Sequence, residues 1–139
     1  SIFIDKAVSE LSIQSEQTHS SIYHLFSYGR SCELFIDNHW LNVSQIAETF
    51  KAELKRKKEL YIYGCNFGQG KKGEDAVKFL STHFKINVNA STNVTGKDGD
   101  WNLEIGNGKH AVAVPSITGN LQLDKVHYLN PLLAGYDNN

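Results

Sequence analysis

Apolar residues lie in short runs separated by polar segments, and their spacing changes along the chain. Residues 1–5 form a short apolar run that ends in an acid, and residues 22–27 form a second run. Residues 60–63 are continuously apolar, which is typical of a strand covered on both faces. Residues 86–90 and 101–105 alternate between apolar and polar positions, the pattern of a half-buried strand. These five segments predict five strands.

Two segments have the spacing of an amphipathic helix instead. In the first, Ile46, Phe50 and Leu54 recur four residues apart, with Ala47 beside them. This spacing places them in one stripe, and Ser44 is the predicted N-cap. The basic residues 55–58 follow this stripe, and cations at a helix end complement the helix dipole.

The second helical segment follows the strand at 60–63. We expect Glu74 and Asp75 in its first turn, before an apolar stripe at positions 76, 77, 80 and 84. Two hairpins are also expected. Residues 33–41 alternate weakly around the turn signal Asp37-Asn38, and Asn107-Gly108 leads into an apolar run at 111–114.

Strands that alternate with helices favour a mostly parallel α/β sheet. We predict three layers, with helices on both faces of the sheet and small β-hairpins beside it. The sequence becomes irregular from about Pro115, and residues 129–139 have the composition of a tail. The predicted domain is therefore 1–122, with a C-terminal extension or linker at 123–139. A chain without methionine, even at position 1, is expected to be a piece of a longer protein.

Composition narrows the classes of function. The chain has 139 residues, which suits one domain with a hydrophobic core, and its formal net charge is −1. This balance does not favour nucleic acid or a polybasic membrane contact, and no apolar run is long enough to insert into a bilayer. The six histidines are scattered, so we expect no metal site. The glycines of residues 64–72 lack P-loop spacing, so we expect no nucleotide or other cofactor.

Cys65 is the clearest candidate for chemistry. It follows the strand at 60–63 and precedes a glycine-rich turn and a helix, so it lies at the carboxyl end of a buried strand. Ligands and reactive groups of open α/β sheets collect at that edge. A thiol there is a candidate nucleophile. The alternative is a buried structural cysteine, because free cysteine is among the most buried residue types.

Several blocks of sequence together resemble one family. They are residues 24–30, 33–34, 40–42, 63–66, 90–96 and 99–104. In this order they resemble an uncharacterised bacterial domain found near the start of very large secreted adhesin-like proteins, over roughly residues 1–122. The same layout of strands resembles the caspase and gingipain group of cysteine peptidases and the caspase-like CHAT modules.

The resemblance implies a cysteine–histidine dyad in which a histidine activates the thiolate nucleophile. Cys65 takes the nucleophile position and Gly29 takes the glycine position of the family's Ser-His-Gly. The histidine position holds Tyr28. A tyrosine has a pKa near ~10 and is a donor rather than a base at neutral pH. His24 lies four residues upstream, roughly 13 Å away along an extended strand.

The resemblance also bears on the neighbouring positions. Cys32 stands where the family has a small residue, and a disulfide with Cys65 is permitted if their Cα atoms lie about 4.4–6.8 Å apart. Four polar residues after later strands are candidates for binding substrate, or for turn formation alone: Ser91, Thr92, Asp98 and Asp100.

Two functions remain open at the level of sequence. One is a cysteine-peptidase-like domain that acts on peptides or on its own parent polypeptide and is impaired by Tyr28. The other is a catalytically silent interaction or anchoring domain of an adhesin. Both imply a secreted or cell-surface bacterial protein.

Overall fold

The structure, a computed structural model, describes residues 2–6, 21–93 and 103–106. Its elements follow one another as β1 (Ile2–Ile4), β2 (Ile22–Phe26), β3 (Tyr28–Arg30), β4 (Glu33–Ile36), β5 (His39–Leu41), α1 (Val43–Thr49), α2 (Lys51–Leu54), β6 (Glu59–Tyr63), α3 (Gly70–Phe84), β7 (Asn87–Ala90) and β8 (Ile105–Gly106).

The larger sheet contains five of these strands in the order β1-β2-β6-β7-β8. Its first four strands are parallel, and β8 pairs antiparallel with β7. In the central pair, Leu25 lies opposite Ile62 and Phe26 lies opposite Tyr63. The predicted α/β class with a mostly parallel sheet is confirmed.

One face of this sheet packs against the helices. Alternate strand residues point to the same face, and on this face they join the core with the apolar stripes of the helices. Phe50, at the junction of α1 and α2, makes edge-to-face contacts with the rings of Phe3 and Tyr23, at centroid distances of 5.0 and 6.1 Å. Since α1 also packs against α3, both helices lie on the same face of the sheet.

Two details of the helices differ from the sequence prediction. The first helix begins at Val43 with Asn42 as its N-cap, not Ser44, because the Asn42 side chain accepts a hydrogen bond from the Gln45 amide and the Gln45 side chain caps the Asn42 amide in return. In the second helix, Glu74 and Asp75 fall beyond the first turn, because α3 already begins at Gly70.

The opposite face of the sheet is aromatic and also buried. His24 and Tyr61 lie opposite each other on β2 and β6, as do Phe26 and Tyr63. The Phe26 and Tyr63 rings stack at 4.2 Å, and His24 Nδ1 is hydrogen-bonded to the Tyr63 hydroxyl at 2.9 Å. Burial lowers the pKa of His24 to about 4, so the imidazole is neutral at physiological pH. The described helices cover only the first face, and the three-layer, caspase-like arrangement stays a prediction.

The second sheet is larger than the predicted hairpin. It has three antiparallel strands in the order β3-β4-β5, and its β4–β5 turn carries positive φ at both Asp37 and Asn38, as a type I′ turn requires. The strand that we expected to end at residue 27 ends at Phe26. Gly29 lies inside β3, opposite Leu34.

Other sequence predictions fall outside the described residues. These are the late hairpin at 107–114 and the domain boundary at 122. Within the part of the chain that the structure describes, no helix has the length and apolarity needed to cross a bilayer.

The buried His24 makes stability depend on pH. The unfolded chain binds a proton at the usual histidine pKa of 6.5, whereas the folded protein binds it only near 4. Between these values the unfolded state holds more protons, so folding stability falls as pH falls from 6.5 to 4. We expect a loss of about 1–3 kcal/mol from this residue, measured by denaturant unfolding at several pH values.

The control is His24→Gln, which keeps a polar group beside Tyr63 but does not titrate. The stability of the parent protein should fall more than that of the variant over this range. Parallel stability curves for the two proteins would show that His24 has no part in the dependence.

Candidate functional site

The carboxyl ends of the four parallel strands bring several candidate site residues to one edge of the sheet. Asp5 follows β1, Ser27 follows β2, Gly64 and Cys65 follow β6, and Ser91 follows β7. The backbone continues the ladder briefly past the strands, since the Asp5 amide donates to Phe26 O and the Ser27 amide donates to Tyr63 O. The predicted edge therefore exists and contains Cys65.

Gly29 lies directly against the backbone of Gly64 and Cys65. A Cβ atom at Gly29 would stand 2.7 Å from Gly64 C, 2.9 Å from Gly64 Cα and 3.0 Å from Cys65 N. Real side chains do not tolerate such distances to backbone, so only glycine fits here. The two segments that the sequence singled out, around Tyr28-Gly29 and around Gly64-Cys65, are thus in contact although 35 residues separate them.

Cys65 is held in a tight turn between β6 and α3. The Phe67 amide donates to Gly64 O, and the Gln69 amide donates to Asn66 O, so two turns follow each other. Asn66 adopts a left-handed conformation with φ 59°, which asparagine tolerates better than most residues. The turn is also fixed from β7, because the Asn66 amide donates to Asn93 O and the Gly68 amide donates to Ser91 O.

The smaller sheet is tied to this turn through its β3–β4 connection. The Cys32 amide donates to Phe67 O at 3.0 Å, and the Ser31 hydroxyl donates to Gln69 O at 2.9 Å. At its other end, the Asp37 amide donates to the buried Asp5 carboxylate at 2.9 Å. The small sheet therefore lies over the carboxyl edge of the main sheet and closes it.

Both residues of the expected dyad are enclosed. Cys65 is 0 % exposed and Tyr28 is 7 % exposed. The Tyr28 ring faces the Phe35 ring across the β3–β4 pair, with centroids 6.4 Å apart. His24 is hydrogen-bonded to Tyr63 on the aromatic face of the main sheet.

Cys32 and Cys65 lie in loops that are joined by the hydrogen bond from the Cys32 amide to Phe67 O. Cys32 has φ 59° and is half-buried. The structure does not join their sulfur atoms, and the disulfide between them stays a prediction.

The structure describes two of the four candidate substrate-binding residues. Ser91 is fully buried, and its hydroxyl is hydrogen-bonded to Asn93 O at 2.8 Å. The Thr92 amide donates to the Glu104 carboxylate at 3.0 Å. Both residues thus serve the turn after β7. Asp98 and Asp100 lie outside the described residues.

Sequence reasoning missed two residues at this edge. Glu104 ties the segment before β8 to Thr92. Asn66 Oδ1 is the one buried side-chain oxygen or nitrogen atom in the described residues that has no hydrogen-bond partner. The position of Asn66 next to Cys65 could have drawn attention to it, but its lack of a donor depends on tertiary packing. Within the described segments, no three potential metal ligands cluster.

Comparison with known proteins gives one match. The sequence profile of a family described as a domain of unknown function (DUF4347) matches residues 2–124. No curated protein and no solved structure matches the chain.

The contact at Gly29 gives a direct test of how the edge is built. We expect Gly29→Ala to lower the free energy of unfolding by about 2–3 kcal/mol, because the added methyl group meets backbone that cannot rotate away. Gly70→Ala is the matched control. Gly70 has open space around its Cα but φ 72°, so its substitution costs only left-handed strain of about 1 kcal/mol. Equal losses in chemical denaturation would contradict the close contact.

Proposed function

The chain belongs to the DUF4347 family, a domain of unknown function. From the geometry of the carboxyl edge of its sheet, we propose that it is a cysteine-peptidase-like domain whose catalysis is impaired. Cys65 occupies the nucleophile position, Tyr28 the position of the base, and Gly29 the adjacent glycine position. The reaction class is hydrolysis or self-processing of an amide bond.

One observation carries this proposal. Gly29 touches Gly64 and the amide of Cys65 at distances that admit no side chain. A catalytic dyad of a thiol and its base requires the segments that carry them to meet. The Tyr28-Gly29 and Gly64-Cys65 segments meet at the carboxyl edge of the main sheet. A buried structural cysteine requires only an apolar environment. It would not need the second segment to approach so closely.

The same geometry supports the proposed impairment. In an active enzyme the base takes the thiol proton, the thiolate sulfur bonds to the substrate carbonyl carbon, and backbone amides stabilise the resulting oxyanion. Tyr28 is a poor proton acceptor at neutral pH. The amides of Asn66 and Phe67, which follow the thiol, already donate to Asn93 O and Gly64 O. These two donors are therefore occupied.

The substrate class follows from the reaction and from the resemblance to secreted adhesin-like proteins. A peptide, or the parent polypeptide of this domain, is the proposed substrate. A secreted or cell-surface bacterial location is part of the same proposal.

A second function is favoured by the burial of the thiol. Cys65 is fully enclosed and the small sheet is hydrogen-bonded across the edge, so the fold presents a closed site. A domain of this kind could serve an adhesin as a catalytically silent interaction or anchoring module.

Tyr28→His tests the peptidase-like proposal. Restoring an imidazole beside the Cys65 segment should raise the reaction rate of Cys65 with an electrophilic peptide probe, followed by mass spectrometry of the labelled cysteine. The rate should rise with pH through the titration of the imidazole, near the ordinary histidine pKa of about 6.5.

Tyr28→Ala is the control, since it opens space at the same position without supplying a base. A faster rate in the histidine variant than in the alanine variant supports a base at position 28. Equal rates, together with no cleavage of a longer parent chain or of a peptide library, would favour the silent module.

A further inference from the structure

A second group of charged residues lies at the opposite edge of the sheet, away from Cys65. The basic run 55–58 connects α2 to the amino end of β6. Lys85 connects α3 to the amino end of β7. Because β6 and β7 are parallel neighbours, these two connections meet, and the Asn87 amide donates to Lys58 O at 2.9 Å. The fold thus brings the connection that contains Lys85 next to the one that contains Lys58, although the two residues are far apart in the sequence.

A shallow polar pocket of about 340 Å³ lies between the two connections. Its lining consists of Lys58, Ser81, Lys85, Ile86 and Asn87. The two lysines enter it from different loops. Among the residues that the structure describes, neither Lys58 nor Lys85 forms an ion pair.

Lys85 adopts a backbone conformation that favours another residue. It is the C-cap of α3 and has φ 58° and ψ 48°, the left-handed region that glycine occupies at most such helix ends. A lysine held there pays a steric cost that glycine avoids. Strained residues of this kind often mark functional positions. The helix dipole alone does not account for a lysine in this conformation. A cation at any position in the last turn of α3, with ordinary helical backbone, would interact with the dipole equally well.

The electrostatic balance at the pocket is positive. The C-terminus of α3 contributes about half a negative charge, and Glu59 contributes one carboxylate, whose Oε1 accepts a hydrogen bond from Tyr61. The Ser81 carbonyl already accepts hydrogen bonds from the amides of both Lys85 and Ile86, which weakens its repulsion of an anion. The two positive charges of Lys58 and Lys85, which both line the pocket, exceed these negative contributions.

We propose that this pocket binds a tetrahedral oxyanion, phosphate or sulfate, between Lys58 and Lys85. The two ammonium groups supply the charge, and the half-buried Asn87 supplies a neutral donor. The site is independent of the function proposed for Cys65, which lies at the other edge of the sheet. The anion could be free or part of a phospholipid headgroup, and the experiment distinguishes these sources.

Lys85→Gly separates binding from folding. Glycine suits the left-handed C-cap, so the melting temperature of this variant should equal or exceed that of the parent chain. In NMR titrations of the 139-residue chain with inorganic phosphate and with sulfate, we expect saturable shifts at Lys58 and Asn87. The apparent Kd should weaken at least about fivefold in Lys85→Gly and in Lys58→Gln. Lys78→Gln, an equal charge change elsewhere on α3, should leave it unchanged.

A second arm uses sedimentation with phosphatidylcholine vesicles that contain phosphatidic acid. Saturable binding of the ions without sedimentation assigns a free anion. Sedimentation that Lys85→Gly abolishes assigns a headgroup phosphate. The proposal is wrong if neither ion nor vesicle binds, or if Lys78→Gln weakens binding as much as Lys85→Gly does.

Discussion

The contact between Gly29 and the Gly64–Cys65 backbone is the constraint on which the candidate site depends. It requires glycine because backbone atoms, not flexible side chains, stand within 3.0 Å of any added Cβ. It joins β3 of the small sheet to the turn that holds the thiol. The hydrogen bonds from Cys32 to Phe67 and from Ser31 to Gln69 extend this contact along the small sheet. Positions far apart in the sequence thereby share one edge.

The close contact between these two segments both favours and hinders catalysis by Cys65. It assembles the segments that a cysteine nucleophile and its base would need, and it encloses the thiol completely. Under the proposed function, Tyr28 stands where a base is needed, and the Asn66 and Phe67 amides are already hydrogen-bonded to Asn93 O and Gly64 O.

The sequence predicted what depends on local pattern and on burial. The stripe at Ile46, Phe50 and Leu54 and the continuous run at 60–63 became a buried helix face and a central strand, because apolar spacing reports which side of an element faces the core. The N-cap was placed at Ser44 instead of Asn42 because both residues can cap, and only the reciprocal bond with Gln45 decides between them. Other features depend on contacts between distant segments, which no local pattern records. These are the third strand of the small sheet, the close fit of Gly29, and the place of Lys85 and Lys58 in one pocket.

The central claim is that the folded chain encloses Cys65 where the Gly29 segment meets the turn after β6. Alkylation of the native protein by iodoacetamide, quantified separately for each cysteine by mass spectrometry, tests this most directly. The account predicts that Cys65 reacts at least about a hundredfold more slowly in the native protein than in denaturant, because it must await opening of the fold. Half-buried Cys32 should react faster than Cys65. Native Cys65 that reacts as fast as the unfolded thiol would contradict the account.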